Sequence, residues 1–182
     1  MEQLKNEKLT VTISAHGAEL QSIKNAEGRE YLWQGDEKYW PRRSPLLFPI
    51  VCGLWKDEYR VDGRTFNLPR HGFARDMDFE VVEKSDTSVT YTLESNAQTR
   101  EVYPYDFELD VTYILNDDNI NVIWSVKNTG KEEMHFQIGG HPAFNLPGVA
   151  EGDKMHGSIL FDNVEPLTRI IGNTGGCIKP ER

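Results

Sequence analysis

Cysteine is scarce in this sequence. Cys52 and Cys177 are the two in 182 residues, with no C-x-x-C spacing to make a disulfide framework or a metal knuckle. The five histidines never fall at i, i+4 around a glutamate, so the helical metal-binding pattern is missing and no metal site is expected. No apolar run approaches the roughly 18–20 residues that a membrane span needs. The opening Met1-Glu2-Gln3-Leu4-Lys5-Asn6 lacks the apolar core of an export signal, so a cytoplasmic location with reduced thiols is expected. Basic residues are outnumbered, 20 Lys and Arg against 29 Asp and Glu, for a net charge of −9. Nucleic acid and anionic membrane surfaces are therefore not expected partners. Strand–helix alternation and a glycine-rich phosphate loop are both missing, which argues against a parallel nucleotide-binding sheet.

What remains is strand-like. With 38% hydrophobic and 27% charged residues, the chain reads as one globular domain over residues 1–182. Leu9-Thr10-Val11-Thr12-Ile13 alternates with period two, then Glu19 to Ile23 and Glu30 to Trp33 continue a meander. Tyr59-Arg60-Val61 and Thr65-Phe66-Asn67-Leu68 flank Asp62-Gly63, a strong hairpin signal. Phe79 to Glu83 and Ser88 to Leu93 flank a polar turn. Phe107 to Tyr113, Ile120 to Val126 and Met134 to Ile138 alternate in the same way. Strands at such intervals predict an all-β sandwich or barrel, mostly antiparallel. Between Trp40 and Val51 lie three prolines, which predict edge or irregular backbone. Tryptophans such as Trp33, Trp40, Trp55 and Trp124 are more often core residues than sugar platforms; one beside polar groups in a cleft would stack on a sugar face, and sequence does not place them. The chain closes in loop chemistry from Gly172 to Arg182.

Two polar clusters interrupt this pattern. The first, Leu68-Pro69-Arg70-His71-Gly72-Phe73-Ala74-Arg75-Asp76, sets a histidine, two arginines and an aspartate around a glycine. Here His71 either faces a small polar ligand or is a loop residue bonded to Asp76 or Asp78. The second is Gly139-Gly140-His141-Pro142-Ala143-Phe144-Asn145. There His141 is either presented at a strand end, since Pro142 biases it toward extended backbone, or caps a carbonyl in a turn. Arg42-Arg43 adds a pair of which at most one side chain points inward if the backbone is extended. Arg43, Arg70 and Arg75 have a plainer reading as surface ion-pair partners, worth about 0–1 kcal/mol each. His16 and His156 read as ordinary loop residues. Histidines suit proton transfer near neutral pH, and arginines suit oxygen-rich ligands. This inventory fits acid–base chemistry on a polyhydroxy compound without singling out a reaction.

Five stretches together resemble the aldose 1-epimerases (galactose mutarotases), in particular the bacterial branch similar to hexose-6-phosphate 1-epimerases. They are Gly17 to Ile23, Tyr31 to Asp36, Ser44 to Ile50, Leu68 to Asp76 and Gly140 to Asn145, in family order. The resemblance implies an all-β supersandwich with a monosaccharide or sugar phosphate in a cleft, and no cofactor. It implies a reaction in which an acid protonates the ring oxygen while a base takes the C1 hydroxyl proton. The ring opens, C1–C2 turns, and the ring recloses as the other anomer. His141 matches the family's acid and His71 its second active-site histidine. Arg43 and Arg75 match sugar-binding arginines. The family's base is a glutamate beyond the end of this chain; Glu151 and Glu165 do not stand in its context. An epimerase lacking its C-terminal part is therefore expected, with weak or no activity and a bare sheet edge that invites self-association. Two alternatives stay open: a carbohydrate-binding module without turnover, and a structural sandwich whose loops meet a protein partner.

Overall fold

The computed structural model describes residues 1–146 together with Gly148, Val149 and Gly152. Glu151, His156, Glu165 and Cys177 lie outside the described residues. Met1–Asn145 forms one compact unit and Leu146–Arg182 a second; the core and the candidate site belong to the first.

Two antiparallel sheets carry the core. β1 (Glu2–Lys5), β2 (Leu9–Ile13) and β3 (Leu20–Asn25) form a three-stranded meander. β7 (Glu80–Lys84), β8 (Ser88–Glu94), β9 (Phe107–Asn116) and β10 (Asn119–Asn128) form a four-stranded sheet in the order β10-β9-β8-β7. Period-two alternation is the reason they face each other. On β9, Phe107, Leu109, Val111, Tyr113 and Leu115 are buried while every residue between them is part-exposed. Val89, Tyr91 and Leu93 do the same on β8. With Leu4, Val11 and Ile13 from the meander they form one apolar cluster, each fully buried aliphatic side chain contributing about 1.5–3 kcal/mol. The all-β sandwich expected from strand spacing is what is observed.

Turn chemistry accounts for the hairpins. β5 (Glu58–Val61) and β6 (Arg64–Asn67) pair antiparallel. Asp62 and Gly63 between them take φ of 47° and 76°, the double left-handed turn that Asp-Gly favours.

The structure departs from the sequence reading in four places. Met134 to Ile138 is not a strand; Gln137 instead donates its backbone N–H to Pro49 O and accepts from Val51 N–H through its side chain. Glu30 to Trp33 makes only isolated bridges. A helix, α1 (Ala97–Val102), appears where none was expected, capped by Asn96 and Thr99 in reciprocal side-chain-to-backbone bonds. The tryptophans are not core residues: Trp55 is 63% exposed and Trp124 38%, and Trp33 and Trp40 are half-buried. An indole on an edge strand or loop keeps one face in solvent where, among the described residues, no second layer covers it.

β10 lies at the edge of its sheet. Its apolar residues Val122, Ile123 and Trp124 are exposed. Val122 and Trp124 border an open apolar trough of about 760 Å3 together with Leu20, Ile23, Leu46 and Tyr113.

Candidate active site

The site is assembled where two very short strands meet. β4 (Leu46–Leu47) pairs antiparallel with β11 (Gly139–Gly140). The pairing continues beyond both: His141 N–H donates to Pro45 O at 3.1 Å and Ala143 N–H to Arg43 O at 2.9 Å. Between them Pro142 occupies the position that needs no donor, so its missing N–H costs nothing. Arg43 and His141 are thus carried on neighbouring chains. Gly140 packs closely, since a Cβ there would sit 3.2 Å from the Trp124 ring.

The His71 loop docks on the same segment from another direction. Phe73 and Ala74 both donate backbone N–H groups to Phe48 O. Gly72, at φ +71°, runs so close that a Cβ would lie 2.2 Å from that oxygen. His71 itself has φ +70°, an unusual conformation for a residue with a side chain. It is held there by Cys52. The Cys52 N–H donates to His71 Nδ1 at 3.0 Å, and the His71 N–H donates to Cys52 O at 2.8 Å. Because Nδ1 accepts, the neutral ring carries its proton on Nε2. The His71 and His141 ring centroids are 6.3 Å apart, and the Trp40 indole lies 5.0 Å from the His141 ring, tilted.

Arginines surround the pair. Arg42 donates from Nη2 to Asp76 at 2.7 Å. Arg75 donates from Nη2 to Arg70 O at 2.7 Å. Its Nε is 3.5 Å from the Asp76 carboxylate, too poorly placed to be a hydrogen bond, and is otherwise buried without a partner. Arg43 donates from Nη1 to Gln21 Oε1 at 2.6 Å, while its own Nε is buried and unpartnered. Burial, followed by the positive charges of Arg75 and Arg70, pushes the His71 pKa down. Burial and Arg42 likewise lower that of Arg75, against the opposing pull of Asp76. Positive charge thus collects here on a chain whose net charge is −9, a setting that favours an oxygen-rich or anionic ligand.

Residues 2–160 match the sequence model of the family described as aldose 1-epimerase. The chain belongs to the aldose 1-epimerase family. It is 43% identical over 171 residues to protein LacX (chromosomal) of Lactococcus lactis subsp. lactis, the match covering 90% of this chain and 56% of that protein. The chain therefore spans about half the length of the curated relatives it matches. Its fold is similar to a galactose mutarotase related enzyme from Lactobacillus acidophilus, at TM-score 0.81 and 44% identity over 84% of this chain and 51% of that one. A galactose mutarotase-like protein from Lactobacillus casei gives TM-score 0.80 and 42% identity over 84% and 52%.

Within this member of the aldose 1-epimerase family, the four residues singled out from sequence, His71, His141, Arg43 and Arg75, lie on loops that converge. The two histidines come together directly; Arg75 joins Arg70 and Asp76 in the His71 loop, whereas the Arg43 guanidinium is held by Gln21. Neither carboxylate considered for His71 bonds it. Asp76 is taken by Arg42 and Arg75, and Asp78 by His16 Nδ1 at 2.8 Å. Both adjacent arginines, Arg42 and Arg43, find ordered partners, because the chain between prolines is not a regular extended strand. Sequence reasoning assigned no role to Cys52, which orients His71, or to Glu19 and Gln21. No local motif marks a backbone N–H that will meet a histidine 19 residues away.

Proposed function

We propose that the chain binds an aldohexose or its phosphate at His71 and His141 and contributes the acid half of α/β anomer exchange. The observation that carries this reading is the 6.3 Å approach of the two imidazoles inside an arginine-rich loop cluster of a family member. His141, exposed beside Trp40, protonates the ring oxygen as the C1–O bond to it breaks. His71 is held neutral and donates from Nε2 to a sugar oxygen. Arg43 and Arg75 fix hydroxyls or a phosphate. The proton on the C1 hydroxyl leaves to a base. Among the described residues, Asp76 of the His71 loop is paired with Arg42 and Arg75 and is not assigned as that base.

Two readings of the 182-residue chain follow from that last point. It turns over slowly, or it binds sugar without catalysis. Exchange NMR between the α and β anomers of glucose and galactose, and between those of glucose 6-phosphate, separates them. Cross-peaks at the uncatalysed level with saturable binding support a binding chain. Full enzymatic exchange from this chain would overturn the expectation of weak activity. Failure of either sugar class to shift the His71 and His141 resonances would reject the sugar site altogether and favour a loop surface for a protein partner. A cytoplasmic location remains part of this proposal; among the described residues no helix is long and apolar enough to cross a membrane.

A further inference from the structure

The segment Gly17-Ala18-Glu19-Leu20-Gln21 touches both arginine-bearing loops from beneath. Gly17, at φ +70°, lies so close to Arg75 that a Cβ would sit 2.8 Å from Arg75 O, and its N–H donates to Met77 O at 2.8 Å. Two residues on, the Glu19 side chain is 9% exposed. Its Oε1 accepts the backbone N–H of Arg43 at 2.9 Å and that of Ser44 at 2.7 Å. Gln21 then accepts from Arg43 Nη1 at 2.6 Å. The segment is itself pinned from the core, where the buried Tyr113 hydroxyl donates to Ala18 O at 2.7 Å.

A buried carboxylate is costly unless its lone pairs are used. Among the described residues, no arginine or lysine side chain bonds the Glu19 carboxylate; its donors are backbone N–H groups. One oxygen serves two consecutive backbone donors, so the stretch Arg43-Ser44 is held by charge-assisted bonds in addition to the Ala143 N–H that reaches Arg43 O. Backbone held this way sets where the Arg43 Cα sits. Gln21 sets where its guanidinium points. Gly35 completes the seat, since a Cβ there would meet Pro41 O at 2.8 Å and the Arg43 guanidinium carbon at 3.6 Å.

We infer that Glu19 and Gln21 are positioning residues that fix Arg43 for ligand contact, with the Gly17 turn setting the height of the Arg75 loop. The Glu19 carboxylate acts on the backbone of Arg43-Ser44 and the Gln21 amide on the guanidinium; neither touches the ligand. This inference rests on the sugar-site proposal for its consequence in binding but not for its geometry.

The test uses the 182-residue chain and four substitutions: Gln21→Ala, Glu19→Ala, Glu19→Gln and Arg43→Ala. Gln21 is half-buried on β3, so Gln21→Ala should keep the wild-type thermal midpoint. The Arg43 Nε–H resonance, assigned by its loss in Arg43→Ala, should broaden or shift in Gln21→Ala as the guanidinium loses its tether. Dissociation constants for glucose 6-phosphate and for glucose, by NMR titration, should rise about tenfold in Gln21→Ala and further in Glu19→Ala, as expected for lost hydrogen bonds to a charged group. Glu19→Gln retains an accepting oxygen and should recover binding to within about threefold of wild type. An unchanged Arg43 Nε–H resonance in Gln21→Ala would overturn the inference, as would wild-type affinity in Gln21→Ala when wild type binds. If wild type binds neither sugar, the sugar-site proposal fails while the resonance still decides the positioning. Should Glu19→Ala not fold, Gln21→Ala and Glu19→Gln carry the test.

Discussion

Cys52 and His71 clasp each other through two hydrogen bonds: the Cys52 N–H reaches His71 Nδ1 at 3.0 Å and the His71 N–H reaches Cys52 O at 2.8 Å. A backbone donor cannot be titrated away, so it disfavours a proton on Nδ1 at every ordinary pH. His71 is thereby a donor through Nε2 and a poor general base through Nδ1. Both residues hold left-handed backbone, at φ 67° and 70°, and each is kept there by the other.

The first prediction concerns the His71 ring. Long-range 15N NMR should show the Nε2–H tautomer and a titration midpoint below the usual histidine value of about 6.5. The unfolded chain then binds that proton at higher pH than the folded chain. Stability therefore rises with pH between the two midpoints, and acidification through the unfolded-state midpoint costs stability until the folded-state midpoint is passed. Replacing His71 with Gln should flatten this part of the pH–stability curve. A midpoint at or above the ordinary value would refute the clasp as drawn.

Salt and anions should act differently on that midpoint. Burial is the largest cause of the depression, followed by Arg75 and Arg70. Chloride screens the arginines but not the burial, so high salt should bring only partial recovery. A phosphate bound among the arginines should raise the midpoint more than chloride of equal ionic strength. Equal effects would count against anion binding at this site.

Mutations at the proposed proton donor and the proposed binding arginine should separate rate from affinity. Wherever anomer exchange by the chain is measurable, His141→Ala should return it to the uncatalysed rate. Arg75→Ala should instead weaken sugar binding by roughly 10–100-fold, the worth of a hydrogen bond to a charged group, with a smaller change in the rate at saturation. If both variants kept wild-type exchange, the assignment of these residues would be wrong.

Gly72 makes a stability prediction that is independent of function. Any side chain there must coexist with Phe48 O at 2.2 Å and with φ +71°. Gly72→Ala should lower stability by at least about 2 kcal/mol in urea unfolding and displace the His71 loop. Wild-type stability would show that the loop does not approach Phe48.

The open side of β10 bears on self-association. Lys127 is the one charged residue between Asn119 and Asn128, so the strand carries little of the charge that normally protects an edge. Sedimentation of the 182-residue chain should show concentration-dependent association. Ile123→Lys should suppress it, because Ile123 is 50% exposed on that strand. A monomer at all concentrations would remove this expectation.

Much of the frame was legible from sequence because it depends on local patterns. Period-two alternation on β9 decides which side chains face inward whatever the neighbouring chain is. Asp62-Gly63 decides its own turn. The helix at Ala97–Val102 was missed because six residues give too few turns for a periodic signal, although the Asn96 cap was there to read. Met134 to Ile138 alternates like a strand yet lacks a ladder; alternation records which side is apolar, not whether a partner strand is present.

For the site, His71, His141, Arg43 and Arg75 were singled out through the family resemblance that their motifs carry, and the family match agrees with that resemblance. Sequence also determined the sandwich, since burial of alternating faces follows from composition along each strand. Only the tertiary structure decided which groups orient the site. Cys52, Glu19 and Gln21 are separated from the residues they hold by 19, 24 and 22 positions. Two of these three contacts engage backbone groups of the other residue, which a sequence pattern does not specify. Hydrogen bonds of that kind exist only once the sheets have packed and brought distant loops within 3 Å.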